Sequence, residues 1–487
     1  TEVYVATIDA RLIALDAKTG APVWDISTIE PGQPYAITGA PRVAKGKVLI
    51  GQGGSEFSQR GYLSAYDAET GKLSWRWYVV PGDPAKGFEQ PELETAAKTW
   101  NGEFWKTGGG GAPWDGIIYD PATEHVIVGT GNGAPWPAEI RSPGGGDHLF
   151  LSSIVALDVN TGKYVWHYQT TPNESWDYDN TSPLMTADLT IGGEKRHVVM
   201  QAPKNGFFYV LDAKSGQLLS ADAYVPGVNW AKGVDIKTGR PILNPEANYS
   251  KTGKGALVSP FFGGAHNWQP ISFSPATGLV YIPANQSSYA FVATKEDDNP
   301  MGQKLSISFK GNQEYMRKLK APPVSEGFLL AWDPVPRSSF MDHAGVLSTA
   351  GGLVVQGGLD GFLRVYRDTD GQLLKEIEVG TAIVAAPATY TVNGVQYIAV
   401  TAGSGGGGWS TWLPQNIAFR KGNANRILAF RLDGAATPVP PDLPPPGPIP
   451  EPPPQKGTPA DIKAGEGIFA ANCRGCHTNT WPAPLPD

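Results

Sequence analysis

The sequence predicts an all-β protein folded as a β-propeller, and three observations support this prediction. The chain of 487 residues contains 60 glycines and 15 tryptophans, while only 17% of its residues are charged. This turn-rich and aromatic-rich composition is more typical of all-β proteins than of helical ones. A strand, turn and strand unit also recurs along most of the chain, and its clearest copies end in tryptophan. Hairpins repeated in this way are typical of propeller blades.

The repeat consists of a strand, an Asp-x-x-Thr-Gly turn and a second strand. Its clearest copies are residues 14–20 followed by Trp24, residues 65–71 followed by Trp75, and residues 156–162 followed by Trp166. Weaker copies are residues 210–216 and 365–371. In a propeller, such an aromatic side chain packs against the neighbouring blade. We therefore predict structural roles for the three tryptophans and assign residues 1–434 to the propeller.

Long glycine-rich segments separate the repeats. Residues 105–114, 129–146 and 261–270 lack the repeat pattern. Loops of this kind collect at one end of a propeller, around its central channel, where binding residues are concentrated. We therefore expect these three segments to contribute to the functional site.

Two further segments follow the predicted propeller. Residues 435–456 are rich in proline, which predicts an extended and semi-rigid linker. Thr458 and Pro459 then provide a helix cap and a first helical residue, so we predict a helix that runs toward Asn472. Residues 457–487 are therefore expected to begin a small helical domain.

The only two cysteines of the chain belong to a Cys-x-x-Cys-His motif formed by Cys473, Cys476 and His477. At this spacing two thiols can attach a haem covalently while the histidine ligates its iron. A structural disulfide is the alternative. Haem attachment is preferred because both cysteines are used and the histidine follows directly. Residues 457–487 are thus predicted to start a cytochrome c domain, and its haem c would carry electrons.

Charge and hydropathy exclude two classes of partner. The net charge of −7 arises from 46 acidic and 39 basic residues without a basic run, so no nucleic-acid partner is expected. No apolar stretch reaches the roughly 18 residues that a membrane helix needs, so no membrane-spanning segment is predicted. The chain opens on a strand-like sequence and ends soon after His477, from which we expect a fragment truncated at both ends.

Several loop motifs indicate a family. They are Gly-Gly-Ser-Glu at residues 53–56, a glycine run before Trp114, Gly-Thr-Gly-Asn at residues 129–132 and Trp-Asp-Tyr-Asp at residues 176–179. With these motifs and the haem motif, the chain resembles the pyrroloquinoline quinone (PQQ) dependent alcohol dehydrogenases, and among them the soluble type II quinohaemoproteins. The resemblance implies an eight-bladed propeller from which roughly the first hundred residues are absent. It also implies a pair of adjacent cysteines over PQQ, which this chain lacks.

The resemblance implies a metal site. Glu56, Asn132 and Asp177 match the three calcium ligands of the family, and all supply oxygen, as a hard cation requires. Asp179 lies two residues after Asp177, a spacing that marks the lanthanide-type relatives. A further carboxylate favours a trivalent ion over a divalent one. The alternative is a Ca²⁺ site in which Asp179 is a solvated or turn-capping residue.

The resemblance also implies a PQQ site. PQQ is a flat, anionic tricycle, so its site needs aromatic surfaces and hydrogen-bond donors. Trp114 matches the tryptophan beneath the quinone, and Lys204 matches the cation between the quinone oxygens and the catalytic aspartate. Thr38 matches a residue that hydrogen-bonds a PQQ carboxylate. The remaining PQQ-binding residues in our prediction are Gly53, Gly54, Asn267 and Trp268.

The implied activity is oxidation of an alcohol to an aldehyde or ketone. The metal ion would polarise PQQ, Asp177 would remove the hydroxyl proton, and Lys204 would stabilise the developing charge. Electrons would pass through the haem to a soluble periplasmic acceptor, either a cytochrome or a copper protein, which places the protein in the periplasm. The alternatives are a Ca²⁺-dependent dehydrogenase for sugars, polyols or aldehydes, and a non-catalytic propeller scaffold.

Overall fold

A computed structural model describes residues 1–296, 303–319, 325–334, 345–405, 416–444 and 457–472. Its main feature is a series of antiparallel sheets with three or four strands each, which follow one another along the chain. This series confirms the predicted β-propeller. We number its blades in chain order.

The first four blades contain most of the site-bearing loops. The first blade comprises β1 (Glu2–Ala6), β2 (Arg11–Asp16) and β3 (Pro22–Ser27). The second comprises β4 (Arg42–Ala44), β5 (Lys47–Ile50), β6 (Tyr62–Asp67) and β7 (Leu73–Tyr78). The third comprises β9 (Ile117–Asp120), β10 (His125–Gly129), β12 (Ser153–Asp158) and β13 (Tyr164–Gln169). A separate pair of short strands, β8 (Gly109–Gly110) and β11 (Gly133–Ala134), lies in the loops of this region. The fourth comprises β14 (Leu184–Ile191), β15 (Glu194–Gln201), β16 (Phe207–Asp212) and β17 (Leu218–Ala223).

Three further blades complete the described series. Two strand pairs come first, β18 (Ala231–Asp235) with β19 (Arg240–Leu243), and β20 (Ala256–Val258) with β23 (Tyr289–Phe291). The fifth blade comprises β21 (Ser272–Phe273), β22 (Val280–Gln286) and β24 (Glu326–Trp332). The sixth comprises β25 (Val346–Ser348), β26 (Leu353–Gly357), β27 (Phe362–Arg367) and β28 (Leu373–Glu378). The seventh comprises β29 (Ala388–Val392), β30 (Val395–Ala402) and β31 (Arg426–Phe430).

Short helices occupy the connections. They are α1 (Glu92–Ala97), α2 (Ala138–Arg141), α3 (Tyr249–Thr252), α4 (Phe309–Arg317), α5 (Ala418–Lys421) and α6 (Pro459–Asn472). None of the helices in the described ranges is long and apolar enough to cross a membrane.

The number of blades corrects one expectation. The resemblance implied eight blades, whereas the described residues form seven sheets of three or four strands. The other paired strands in these residues form only two-stranded sheets, so they do not add a blade. The three clear copies of the Asp-x-x-Thr-Gly repeat mark the first three blades, and the two weaker copies mark the fourth and sixth. The fifth blade has only a related Ser-x-x-Thr-Gly turn at residues 274–278, and none of the copies lies in the seventh.

The hydrophobic core lies between neighbouring blades. Successive residues of a strand point to opposite faces of its sheet, so each blade contributes to two cores. In β10, Val128 packs in a cluster with Leu63 of the second blade. Its neighbour Ile127 packs in another cluster with Tyr209 of the fourth blade. All four side chains are fully buried.

In the first four blades, the aspartate of the repeat closes its own turn. Asp16 Oδ1 accepts hydrogen bonds from the Thr19 N–H at 2.8 Å and from Thr19 Oγ1 at 2.8 Å. Asp67 accepts the equivalent pair from Thr70 at 2.9 and 2.7 Å. These hydrogen bonds favour the ionised carboxylates and lower the pKa of both aspartates. The turn is therefore stabilised by residues only three positions apart.

The tryptophans pack on the neighbouring blades, as the repeat predicts. Trp75 of the second blade donates from Nε1 to the Val159 carbonyl of the third blade at 3.1 Å. Its ring covers Gly162, where an added Cβ atom would lie 2.6 Å from the indole. Gly162 also has a φ of 69°, which disfavours other residues. The equivalent pairs are Trp24 with Gly71 and Trp166 with Gly216.

The C-terminal part agrees with the predicted helix. Helix α6 begins after Thr458, whose Oγ1 accepts a hydrogen bond from the Asp461 N–H at 3.3 Å. Asp461 in turn accepts from the Thr458 N–H at 2.9 Å, which completes a capping box. Residues 435–444 of the predicted linker contain no helix or strand. The haem motif of Cys473, Cys476 and His477 lies outside the described residues, so the cytochrome c domain stays a prediction.

Candidate active site

The glycine-rich loops meet around a cavity of about 210 Å³. Its polar lining comprises Gly53, Gly54, Ser55, Glu56, Asn132, Asp177, Asp179, Lys204 and Gln303. Its apolar lining comprises Ala112, Trp114, Trp136, Phe262, Leu305, Ile307 and Phe309. All three segments expected to form the site contribute to this lining. The structure also brings the four predicted metal ligands together with Lys204 and Trp114.

A second cavity of about 420 Å³ lies beside Arg60 and Trp105. It contains none of the predicted site residues. Both guanidinium nitrogens of Arg60 are already paired with Glu89, at 2.6 and 2.9 Å. We therefore place the candidate active site in the smaller cavity.

Glu56 and Asn132 are in direct contact on the polar wall. Asn132 Nδ2 donates to Glu56 Oε1 at 2.8 Å, and Trp136 Nε1 donates to the same oxygen at 3.4 Å. The Ser55 hydroxyl accepts a hydrogen bond from the Ala112 N–H at 3.1 Å. These contacts connect three loops that are distant in the sequence.

Glycine allows the loops to approach so closely. A Cβ atom at Gly131 would lie 2.4 Å from the Ala112 carbonyl oxygen, and one at Gly110 would lie 2.5 Å from the Asn132 carbonyl oxygen. The loop that carries Trp114 therefore rests directly on the loop that carries Asn132. A larger residue at either glycine would push the aromatic wall away from the predicted metal ligands.

Asp177 and Asp179 both contact one lysine. Lys204 Nζ lies 3.0 Å from Asp177 Oδ2 and 2.8 Å from Asp179 Oδ2. The second oxygen of Asp179 accepts a hydrogen bond from Thr181 Oγ1 at 2.8 Å. The side chains of Lys204 and Asp179 are only 6% and 2% exposed, so solvent screens these contacts weakly.

The chain holds Asp177 and Lys204 in fixed positions. Asp177 has a φ of 66° and lies between the fully buried aromatic residues Trp176 and Tyr178. Lys204 packs over Gly264, where a Cβ atom would lie 2.4 Å from the lysine side chain. Both functional side chains therefore project from restrained backbone.

The cavity contains more negative than positive charge. Burial raises the pKa of Asp177 well above its usual value, and the carboxylates of Asp179, Glu56 and Glu174 act in the same direction against Lys204. Burial opposes protonation of Lys204, but the two aspartates outweigh it and raise the lysine pKa. A bound cation would relieve the repulsion among these carboxylates.

The donor atoms fit a hard cation. Glu56, Asn132 and Asp177 offer carboxylate and amide oxygens around the same space, and Asp179 offers a further carboxylate beside Asp177. Within the described residues, no three Asp, Glu, His or Cys side chains are gathered closely enough to form a metal site by themselves.

Three predicted PQQ contacts lie outside the cavity lining. The side chain of Thr38 is exposed on the loop between β3 and β4. Asn267 Nδ2 donates to the Gly263 carbonyl at 2.9 Å, which directs the amide toward its own loop. Trp268 packs against an apolar cluster that contains Leu359. The side chains of these three residues are not part of the cavity lining, so their contacts with PQQ stay predictions.

Parts of the apolar wall were not predicted. Phe262, Leu305 and Ile307 line the cavity but belong to no recognisable motif. Leu305 reaches it because its carbonyl accepts a hydrogen bond from the Trp136 N–H at 3.1 Å. This contact joins residues far apart in the sequence, so no local pattern indicates it.

Two buried ionisable residues were also missed. Burial lowers the pKa of Arg141 to about 10, although Glu174 acts in the opposite direction. Burial raises the pKa of Glu174, while Arg141 and backbone N–H groups oppose the shift. The sequence contains a weak signal for both, because Arg141 lies inside a glycine-rich site loop and Glu174 precedes Asp177 by three residues.

Comparison with known proteins identifies the family of the chain. The family of the PQQ glucose/ethanol/alcohol dehydrogenase β-propeller domain matches residues 1–221. Quinohemoprotein alcohol dehydrogenase ADH IIB of Pseudomonas putida is 47% identical over 98% of this chain and 69% of its own length. The solved structure of quinohemoprotein alcohol dehydrogenase ADHIIG from Pseudomonas putida HK5 is 44% identical, with a TM-score of 0.86, and the match covers 98% of this chain and 71% of the other.

A more distant solved structure is a europium-containing methanol dehydrogenase. It is 32% identical, with a TM-score of 0.71, over 82% of this chain and 71% of its own. The close relatives are oxidoreductases that act on alcohols. This similarity argues against the alternative of a non-catalytic propeller scaffold. The chain belongs to the quinohemoprotein alcohol dehydrogenases, a family of PQQ-dependent enzymes.

Proposed function

We propose that the chain oxidises a small alcohol to an aldehyde or ketone in the 210 Å³ cavity, with Asp177 as the base. One observation carries the proposal. Asp177 contacts Lys204 at 3.0 Å inside a cavity that also contains the oxygen donors of Glu56 and Asn132 and the indole of Trp114. A base, a fixed cation, metal donors and an aromatic surface are the groups that this reaction requires.

The residues around the cavity fit PQQ and its metal ion. When bound, PQQ accepts a hydride and the metal ion makes the quinone more electrophilic. Glu56, Asn132 and Asp177 would hold the metal ion. Trp114 would supply the flat surface beneath PQQ. Gly53 lies beside Trp114, because an added Cβ would be 4.0 Å from the Trp114 Cβ atom.

Asp177 and Lys204 would handle the substrate proton. Asp177 takes the hydroxyl proton as the hydride leaves the carbinol carbon, so the O–H and C–H bonds break while the C=O bond forms. Lys204 holds the Asp177 carboxylate in place and stabilises negative charge on the reacting oxygens. Burial raises the pKa of Asp177 and so strengthens it as a base, whereas Lys204 acts in the opposite direction and favours the ionised carboxylate that can take the proton.

The apolar wall favours an alcohol over a sugar. Phe262, Leu305 and Ile307 would surround the carbon chain of the substrate. These side chains offer no hydrogen bonds to the hydroxyl groups of a sugar or polyol, which would lose its solvation on binding. We therefore keep sugars, polyols and aldehydes as secondary candidates.

Asp179 supports a lanthanide rather than Ca²⁺. It places a third carboxylate next to Asp177 and is buried, so its charge acts at close range. A trivalent ion gains more from this additional charge than a divalent ion. In the proposed site Asp179 would turn from Lys204 toward the metal ion or contact both.

The remaining proposals concern the electron path. Haem c bound by Cys473 and Cys476, with His477 as an iron ligand, would take electrons singly from the reduced cofactor. A soluble cytochrome or copper protein would then receive them, and the periplasm would be the compartment.

The metal proposal is tested with the holoenzyme reconstituted with PQQ and either Ca²⁺ or La³⁺. Dye-linked alcohol oxidation would be compared in wild type, Asp179→Ala and Asp179→Asn, with Thr181→Val as the control for the lost Asp179 hydrogen bond. We expect La³⁺-dependent activity that both Asp179 variants lose and that the control keeps. Equal La³⁺-dependent activity in all four proteins would contradict the lanthanide proposal, and inactivity of wild type with either metal would contradict the proposed function.

A further inference from the structure

The predicted metal ligands lie on two separate arms of the chain. Asn132 belongs to the arm that runs through Trp136, and Asp177 belongs to the arm between Trp176 and Tyr178. The two ligand residues are 45 positions apart in the sequence (177 − 132). Something in the fold must therefore set the distance between the arms.

Glu174 contacts both arms at once. One of its oxygens, Oε1, accepts hydrogen bonds from the N–H groups of Trp176 and Tyr178, the latter at 2.9 Å. The other oxygen, Oε2, accepts from the Gly133 N–H at 3.2 Å. The side chain is completely buried. A single carboxylate thus binds the residues on both sides of Asp177 and the residue that follows Asn132.

Arg141 joins the same arms through carbonyl groups. One of its terminal nitrogens donates to the carbonyls of Pro135 and Trp136 at 2.6 and 2.9 Å. The other terminal nitrogen donates to the Glu174 carbonyl at 2.7 Å and contacts His148 Nδ1 at 3.1 Å. The planar guanidinium therefore binds both arms at once.

The contact between Arg141 and the Asn132 arm depends on a glycine at position 133. An added Cβ at Gly133 would lie 2.2 Å from the guanidinium carbon of Arg141. The arm that carries Asn132 can therefore lie against Arg141 only because residue 133 is glycine. Neither Arg141 nor Glu174 lines the cavity.

We propose that Glu174 and Arg141 are positioning residues that hold Asn132 and Asp177 at the separation required for metal binding. This inference rests on the proposed function, because it concerns the same metal ion. Residues that orient metal ligands typically change metal affinity or activity by about 10 to 100-fold when they are substituted. We expect the same range here, since neither side chain would touch the metal ion itself.

Glu174→Gln is the most direct test. Glutamine has nearly the same shape, but only one of its terminal atoms accepts hydrogen bonds, so either Gly133 or the Asp177 arm loses its partner. Glu92→Gln is the matched control, because the Glu92 carboxylate also accepts a hydrogen bond from a buried residue, from Trp77 Nε1 at 2.6 Å, yet lies outside the cavity. Arg141→Lys provides a second variant that keeps the charge but loses the planar set of donors.

The measurement is Tb³⁺ luminescence, sensitised by the cavity tryptophans, during titration of metal-depleted holoenzyme. We expect the half-saturating Tb³⁺ concentration to rise about 10 to 100-fold in Glu174→Gln and in Arg141→Lys, and to stay unchanged in Glu92→Gln. Far-ultraviolet circular dichroism would show which variants are folded. If Glu174→Gln does not fold, the Tb³⁺ titration of Arg141→Lys decides the result.

The possible failures can be told apart. If wild type binds Tb³⁺ and the folded variants bind it equally well, the positioning role is wrong while the proposed function stands. A similar loss of affinity in Glu92→Gln would also overturn the positioning role, because it would show a general effect of stability. If wild type does not bind Tb³⁺ at all, the metal site and the positioning role both fail.

Discussion

The blade hairpins and the cavity loops are stabilised in opposite ways. The hairpin turns of the first four blades are closed by residues three positions apart, as in Asp67 and Thr70, and tryptophan rings of the preceding blades cover the second to the fourth of these turns. In the cavity, contacts join distant residues such as Asn132 and Glu56, which are 76 positions apart, and charged groups are buried together. This difference suggests that the blade contacts stabilise the fold, whereas the buried carboxylates of the cavity repel one another and serve the reaction. Stability and activity should therefore respond to different substitutions.

The largest effect is expected from Asp177→Asn. Removal of a general base typically lowers the rate by about 10² to 10⁴-fold, so we expect kcat for alcohol oxidation to fall within this range. The melting temperature should stay the same or rise, because the substitution removes one carboxylate from a repulsive group. Asparagine also adopts a φ near the observed 66° more readily than most residues.

Steady-state kinetics and thermal unfolding of the same preparation check this prediction. Asp433→Asn is a suitable control, because Asp433 is exposed and lies outside the cavity. A marked fall in the melting temperature of Asp177→Asn would show that the cavity charge contributes to stability, which would contradict the comparison between the two regions.

The next largest effect is expected from Gly162→Ala in a blade turn. A left-handed φ costs a non-glycine residue about 1 to 2 kcal/mol, and an overpacked contact adds about 1 to 3 kcal/mol. Gly162 has both features, since its φ is 69° and an added Cβ would meet the Trp75 ring at 2.6 Å. Gly20 has a similar φ of 71° but no atom within 4 Å of an added Cβ.

Chemical denaturation of Gly162→Ala and Gly20→Ala separates the two contributions. We expect Gly20→Ala to lower the free energy of unfolding by about 1 to 2 kcal/mol, through the backbone alone. Gly162→Ala should lower it further, while kcat per folded molecule remains at the wild-type value. Equal destabilisation by the two substitutions would mean that the Trp75 contact does not restrict residue 162.

The same difference explains how much could be predicted from the sequence. The propeller, its repeats and the packing of the repeat tryptophans on neighbouring blades were predictable, because Asp16 and Thr19 form a short local pattern that recurs. The number of blades was not, since the fifth and seventh blades lack that pattern. Helix α6 was also predictable, because its capping residues are adjacent to its first turn.

The site was predictable only where a motif marks it. Glu56, Asn132, Asp177 and Lys204 lie in short motifs that resemble those of known relatives, and the structure brings them to one cavity. Leu305 lies in no such motif, and it reaches the cavity through a backbone contact with a distant loop. Such contacts depend on the whole fold, so sequence patterns alone do not reveal them.

The smallest effect concerns a charged contact between two blades, at His197. Burial acts to lower the pKa of His197, but hydrogen bonds to Asp188 and Asp120 outweigh it and raise the pKa. His197 Nδ1 lies 2.6 Å from Asp188 of the fourth blade, and Nε2 lies 3.0 Å from Asp120 of the third. Unlike the Trp75 contact, this connection between blades should depend on pH.

The direction of this dependence follows from the raised pKa. Protonated His197 favours the folded state, so its contribution is complete below the unfolded pKa of about 6.5 and is lost as pH rises through the folded pKa. We expect the contribution to be below about 1 kcal/mol, because Asp188 is largely exposed and solvent screens the pair. The difference in unfolding free energy between wild type and His197→Gln should therefore be larger near about pH 5.5 than near about pH 8.5. If that difference is constant across this range, His197 joins the blades by packing alone, and the contrast between apolar blade contacts and a charged cavity becomes sharper.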